Sequence, residues 1–245
     1  MKTAGVLVAF EGIDGSGKGT QTKLLRKHCE EAGISCAIIG FPQYGRTPFA
    51  QAITEYLNGA FGGVAEVHPK LVSILFASDR FASKETLSRA LRENSIVICD
   101  RYVASNMAHQ ASKVPENERQ EFIRWLEEIE YGVFELPPAD LTILLDMPAE
   151  NAQRLVHQKS SRKVGVDFSE SGQGGYTALQ ADIHEADVAY LGECREIYRK
   201  LCAQNVGGKW TAIAATSNGV VCDPNQIAAD VWKVVNPLLT ASTRQ

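Results

Sequence analysis

Residues 8–20 read Val-Ala-Phe-Glu-Gly-Ile-Asp-Gly-Ser-Gly-Lys-Gly-Thr, an apolar strand signal that runs directly into a glycine-rich loop ending at Lys18. Few features restrict a fold as tightly. Gly12, Gly17 and Lys18 match the GxxxxGK spacing, in which glycines let backbone N–H groups turn inward onto oxyanions while the lysine reaches the outer phosphates. From Thr20 onward Leu24, Leu25, His28, Cys29 and Ala32 recur at helical spacing, so the positive end of a helix is aimed at the same anion. A merely flexible glycine turn needs neither the strand before the loop nor the helix after it. One position departs from the pattern: where a magnesium-ligating Ser or Thr is expected after the lysine, Gly19 stands, with Thr20 one place later. A magnesium ion then leans on Thr20, on water or on carboxylates elsewhere.

The rhythm of strand and helix continues along the chain. Five short apolar runs, at 6–10, 36–41, 96–100, 141–146 and 210–214, alternate with helical patterns. The alternation predicts an α/β fold, a five-stranded parallel sheet with helices on both faces. Ligands of such sheets gather at the carboxyl ends of the strands, where Glu11, Phe41, Asp100 and Asp146 fall. Phe122, Trp125, Leu126 and Ile129 form one apolar helical stripe, and Ile227, Val231, Val234, Val235 and Leu238 form another, each suited to the core or to a subunit contact. With 245 residues and 44% hydrophobic content the chain fills one α/β core, read as a single domain over 1–245. A net charge of −4 gives no global attraction to nucleic acid or an anionic membrane, so anion binding must be local. The 6 cysteines show neither CxxC nor zinc spacing and read as core residues in a reducing compartment. The first strand begins within a few residues of Met1, and no apolar run approaches the about 18 residues of a membrane helix, so a cytoplasmic location is expected.

Three further stretches carry chemistry. Ile-Val-Ile-Cys-Asp100-Arg101-Tyr102 is an apolar strand ending in a carboxylate, which either holds a metal, directly or through water, or caps the next turn. Arg101 beside it suits bidentate anion binding. Upstream, Leu71, Ile74 and Leu75 share a helical face, while Phe76 and Arg80, four apart, project from one side. Either a base stacks on Phe76 with a phosphate on Arg80, or the pair is a core Phe and a solvated arginine. Residues 160–177 hold four glycines and no apolar period, as in a lid, a disordered segment or an ordinary surface loop.

Together these stretches carry a resemblance. Gly-Lys-Gly-Thr-Gln resembles the loop of nucleoside monophosphate kinases, and from Val8 to about Tyr198 the chain is similar to the thymidylate kinase family. The matching runs are Phe-Glu-Gly-Ile-Asp-Gly-Ser-Gly-Lys-Gly-Thr-Gln, Phe41-Pro42, Leu75-Phe76-Ala-Ser-Asp-Arg80, Asp100-Arg-Tyr-Val-Ala-Ser105-Asn106, and Asp182-Ile-His-Glu185 ahead of Tyr190-Leu191. The resemblance implies transfer of the ATP γ-phosphoryl to dTMP with Mg²⁺, a glycine-rich lid at about 158–178 and a homodimer. It implies that Gly12, Gly15, Ser16, Gly17, Lys18, Gly19 and Thr20 hold the ATP phosphates, and that Thr20 and Asp100 serve the metal. Phe41, Pro42 and Phe76 would line the acceptor nucleotide, with Phe76 stacked on thymine. Arg80 and Arg101 would bind the acceptor phosphate, Asp14 would lie near its 3′-hydroxyl end, and Ser105 and Asn106 would sit around base and sugar.

Three positions depart from the family. Members divide between a loop arginine after that Asp and a cation supplied by the lid; Gly15 here implies the lid version, with Arg162 ahead of Lys163 as the catalytic cation beside Lys18, Arg101 and Asp14. The arginine that follows Phe-Pro in the family is replaced by Gln43-Tyr44-Gly45-Arg46, so Arg46 takes that role in a shifted register. Many members place an aromatic beneath the deoxyribose where this chain has His109, read as a packed or sugar-facing histidine. The rival readings are a related kinase acting on dUMP, AMP or a deoxynucleoside, a nucleotide-dependent switch, and a catalytically silent homologue.

Overall fold

The computed structural model describes residues 5–63, 66–163 and 188–242. Five strands lie where the apolar runs placed them: β1 Val6–Glu11, β2 Cys36–Gly40, β3 Ile96–Asp100, β4 Leu141–Asp146 and β5 Trp210–Ala214. They form one sheet in the order β2-β3-β1-β4-β5, with every pairing parallel. β1 is central and buried along its whole length, which is why its sequence has no polar alternation: a strand covered on both faces has no wet side.

Helix α1 (Lys18–Glu31) connects β1 to β2, and α2 (Pro48–Leu57), α3 (Pro69–Ala82) and α4 (Lys84–Glu93) connect β2 to β3. Between β3 and β4 come α5 (Val103–Ala111) and α6 (Arg119–Glu127); α7 (Ala149–Lys163) and α8 (Val188–Gln204) lie between β4 and β5, and α9 (Pro224–Ser242) follows a two-residue-per-strand hairpin, β6 (Thr216–Ser217) and β7 (Val220–Val221). The step from β1 to β2 crosses the sheet one way and all later steps cross it the other way. Right-handed crossovers therefore set α1 on one face and α5 and α8 on the opposite one. Helix α9 returns to pack on α1, while α5 packs on α3 and α8. Both anticipated stripes serve the core: Phe122, Leu126, Ile227, Val231 and Val235 are buried in it, with Trp125, Val234 and Leu238 packed against its rim.

Two expectations change. The buried face of α3 is Val72, Ser73, Ala77, Asp79 and Arg80, whereas Leu71 is 67% exposed. Hydrophobicity could not mark that face, because its charged members are buried against partners from other elements. The second change concerns 158–178. Helix α7 continues through Lys163, since Gln, Lys, Ser and Arg sustain a helix without an apolar period; the remainder of the expected lid lies outside the described residues. Beyond Glu127, α6 widens into a π-helical turn, Glu128–Val133, which carries the fully buried Glu130.

Candidate active site

The glycine-rich loop leaves β1 and enters α1 without a side-chain cap at Gly17. Its first-turn amides are thus left to an anion. Gly15 has φ of 83°, and a Cβ there would collide with the backbone carbonyl of Ala152 in α7. No arginine fits at this position. Lys18 Nζ is folded back onto the carbonyls of Gly12 and Ile13, both at 2.9 Å. Burial and then the Arg101 charge lower its pKa to about 8, against the opposing pull of Asp14 and Asp100. Asp100 lies against the start of α1: a Cβ at Gly19 would stand 3.2 Å from its Oδ2. No cluster of three or more His, Cys, Asp or Glu suited to a resident metal occurs among the described residues.

Arg101 follows β3 with φ of 67°, a left-handed conformation rare for a long side chain. The surroundings hold it there. Its N–H donates to Phe10 O at 3.1 Å, Nη2 donates to Asp14 Oδ1, Nη1 donates to Ser105 Oγ at 3.1 Å, and Nη1 lies 3.4 Å from His109 Nε2. Burial works to raise the Asp14 pKa, but Arg101 and Lys18 outweigh it and hold the carboxyl well below the usual carboxylate range. Behind this group Glu11, fully buried, accepts hydrogen bonds from Tyr102 N at 2.8 Å and Ser105 N at 3.1 Å. Its other oxygen accepts from Ser105 Oγ at 2.6 Å and Tyr198 Oη at 3.1 Å. Glu11 thus caps α5 from across the sheet, where Tyr102 supplies no cap of its own. Ser105 spends its hydroxyl on Glu11, Tyr198 and Arg101 and so braces the arginine.

A second polar group lies between α3 and α5. Arg80 Nε donates to Glu130 Oε2 at 2.7 Å and Nη2 donates to Glu130 Oε1, with both side chains almost fully buried. Asn106 Nδ2 donates to Glu130 Oε1 at 2.9 Å and to Ser73 O at 3.0 Å, while Asn106 Oδ1 and Ser73 Oγ are buried without a partner. Phe76, partly buried, lies one helical turn before Arg80. Arg80, expected on the acceptor phosphate, is paired with Glu130 through Nε and Nη2. Asp79 ties the Phe41-Pro42 loop down by accepting from Gln43 N at 2.9 Å and from Thr47 Oγ1. Arg46 on that loop is exposed, and its Nη1 reaches Gln43 Oε1 at 3.5 Å. The run 182–185 lies outside the described residues, as do the side chains of Arg162 and Lys163.

Glu130 had no signal of its own in the sequence, and Tyr198 none for its bond to Glu11. Asp79 lies inside the Leu75–Arg80 run and Glu11 at the end of β1, but their partners are 36 and 94 residues away.

Two groups suited to anions, one on the loop after β1 and one after β3, meet over the carboxyl end of a single sheet beside the buried Arg80–Glu130–Asn106 cluster. Such an arrangement joins two phosphorylated ligands end to end, and it defines a P-loop nucleoside monophosphate kinase. Comparison with known proteins narrows the class: the family model described as thymidylate kinase matches residues 10–206, and the chain belongs to that family. It is 32% identical over 224 residues to a thymidylate kinase of Mycobacterium tuberculosis, covering 91% of this chain and 96% of the relative. A thymidylate kinase of Thermomicrobium roseum is 31% identical over 238 residues, 97% of each chain. The solved thymidylate kinase of Candida albicans shares the fold with a TM-score of 0.65 at 19% identity, covering 96% of this chain and 92% of its own.

Proposed function

We propose that the chain transfers the γ-phosphoryl of ATP to the 5′-phosphate of dTMP, giving dTDP. The observation that supports thymine is the unpartnered Asn106 Oδ1 beside the Arg80–Glu130 pair. A pyrimidine with N3–H next to a carbonyl matches it: Asn106 Oδ1 accepts from N3–H, and Arg80 Nη1, outside the pair with Glu130, donates to the carbonyl. Adenine presents a bare N1 at that place and leaves Asn106 Oδ1 unpaired, a cost of about 1–3 kcal/mol. Phe76 stacks on the base, with Phe41 and Pro42 closing the slot. Uracil shares the reading edge and lacks only the methyl group.

In the transfer step the acceptor phosphate is already an adequate nucleophile, so positioning and charge neutralisation supply the catalysis. Lys18, the α1 amides and the loop from Gly12 to Thr20 hold the ATP phosphates. Arg101 holds the acceptor phosphate, Asp14 orders that arginine, and Arg162 at the end of α7 braces the charge in flight. Asp100 and Thr20 are hard oxygen donors of the kind Mg²⁺ takes, and the ion supplies neutralisation of phosphate charge when bound with ATP. The protein acts as a homodimer in the cytoplasm without nucleic acid or membrane partners; no helix among the described residues is long and apolar enough to cross a membrane.

A nucleotide-dependent switch has less support, because the sequence has no Asn-Lys-x-Asp guanine signature. Initial rates with ATP and a panel of nucleoside monophosphates test the proposal. Turnover of dTMP is expected to lead; faster turnover of AMP or UMP overturns the substrate assignment.

A further inference from the structure

His109 lies at the centre of a chain of hydrogen bonds that no phosphate-binding motif contains. Its Nε2 is 3.4 Å from Arg101 Nη1, its Nδ1 is 3.0 Å from Tyr190 Oη, and the Cys194 Sγ stands 3.7 Å from the same Nδ1. A guanidinium nitrogen only donates, so Nε2 must offer a lone pair. The ring proton therefore sits on Nδ1 and is donated to Tyr190 Oη, whose own hydroxyl donates to the His109 carbonyl at 3.4 Å. The geometry fixes one neutral tautomer. Burial, with the Arg101 charge, lowers the ring pKa to about 3, so this form persists across ordinary pH.

The consequence falls on Arg101. Both hydrogens of Nη1 are taken, by Ser105 and His109, and one of Nη2 is taken by Asp14. That leaves Nε–H and one Nη2–H, two donors for an oxyanion. With its backbone in the left-handed region, this side chain keeps one direction only if its surroundings over-determine it. We infer that His109 is a positioning residue, whose bare Nε2 fixes the Nη1 edge of Arg101 so that its remaining donors face the acceptor phosphate, with Tyr190 Oη accepting the Nδ1 proton. The role rests on the reading of Arg101 as the acceptor-phosphate ligand. A phenyl ring at this place fills the same volume and offers Nη1 no acceptor.

The test compares dTMP with thymidine, which has the same base and sugar and no phosphate. In calorimetric titrations His109→Phe is expected to weaken dTMP binding about tenfold, the scale of one charge-assisted hydrogen bond, while thymidine binding stays within about twofold. His109→Gln returns an acceptor near Nε2 and is expected to recover most of the dTMP affinity. Equal weakening of both ligands makes His109 a base or sugar contact and overturns the inference, as does unchanged dTMP binding. Nitrogen-15 spectra of the unmutated protein test it without any variant: a bare Nε2 and a protonated Nδ1 are expected, and the opposite tautomer overturns it. If the unmutated protein binds another nucleoside monophosphate more tightly than dTMP, the thymine assignment fails by itself; the same comparison with that monophosphate and its nucleoside then decides the role of His109.

Discussion

Arg80 and Glu130 are both buried, and each is tolerable only because of the other. Removing one partner of such a pair strands a charge away from water, at a cost of about 3–5 kcal/mol. Glu130→Leu is therefore expected to lower the urea midpoint sharply, and Arg80→Met combined with Glu130→Leu is expected to recover much of the loss. A double variant as unstable as the single one would show that the pair is not what holds these groups. His109 gives a pH signature of its own. Its folded pKa of about 3 lies below the ordinary 6.5, so between those values the unfolded chain binds a proton that the folded one refuses. Stability attributable to His109 is thus complete above 6.5 and is lost as pH falls toward 3. Asp14, with its carboxyl pKa depressed, loses its contribution only at pH values below the ordinary carboxylate range. Unfolding free energies from denaturant titrations between about pH 4.5 and 6.5 are expected to fall more steeply with falling pH for the natural protein than for His109→Phe, by up to about 1.4 kcal/mol per pH unit.

The loop between β1 and α1 is held from behind by α7, which decides what the loop can carry. Gly15 is a left-handed glycine pressed on the Ala152 carbonyl, so Gly15→Arg forces either the loop or α7 to move. Backbone strain of this kind costs about 1–3 kcal/mol. The variant is expected to melt at lower temperature and to lose kcat, although related chains carry an arginine there; an unchanged melt with a gain in kcat would contradict the packing of α7. The strands and the loop itself were legible because each is a local pattern: an apolar run followed by a turn needs no knowledge of distant residues. The face of α3 was not, since Arg80 and Asp79 are buried by Glu130 and by the β2–α2 loop, partners that sequence spacing does not reveal. Glu130 itself enters the slot through a π-helical turn that breaks the helical period from which its direction would have been read. Glu11 was legible as a strand end and illegible as a cap, because the helix it caps begins 92 residues later. Arg80 was legible by its spacing from Phe76, whereas its counter-charge, Glu130, lies 50 residues away and was not.

Both substrates of the proposed reaction are anionic and the chain carries a net charge of −4, so the attraction for them is concentrated in the few cations at the carboxyl end of the sheet. The remaining surface serves another purpose. Phe49 on α2 is 37% exposed, Phe61 between α2 and α3 52%, and Leu71 and Phe81 on α3 67% and 48%. These are most of the large apolar side chains exposed among the described residues, and they lie on two helices packed on one another or on the link between them. Exposed apolar groups on these elements are the candidates for the contact of the proposed homodimer. The buried face of α3 holds Arg80 and Ser73, so a dimer formed through its exposed residues is expected to link assembly to dTMP binding. Sedimentation velocity is expected to show a dimer, and Phe61→Glu with Leu71→Glu is expected to give a folded monomer, because neither side chain is part of the core. The monomer is expected to bind dTMP more weakly with ATP binding less affected, since the loop of β1 lies on another part of the molecule. A natural protein that sediments as a monomer at micromolar concentration would refute this use of the surface, and a monomeric variant with unchanged dTMP affinity would separate assembly from the site.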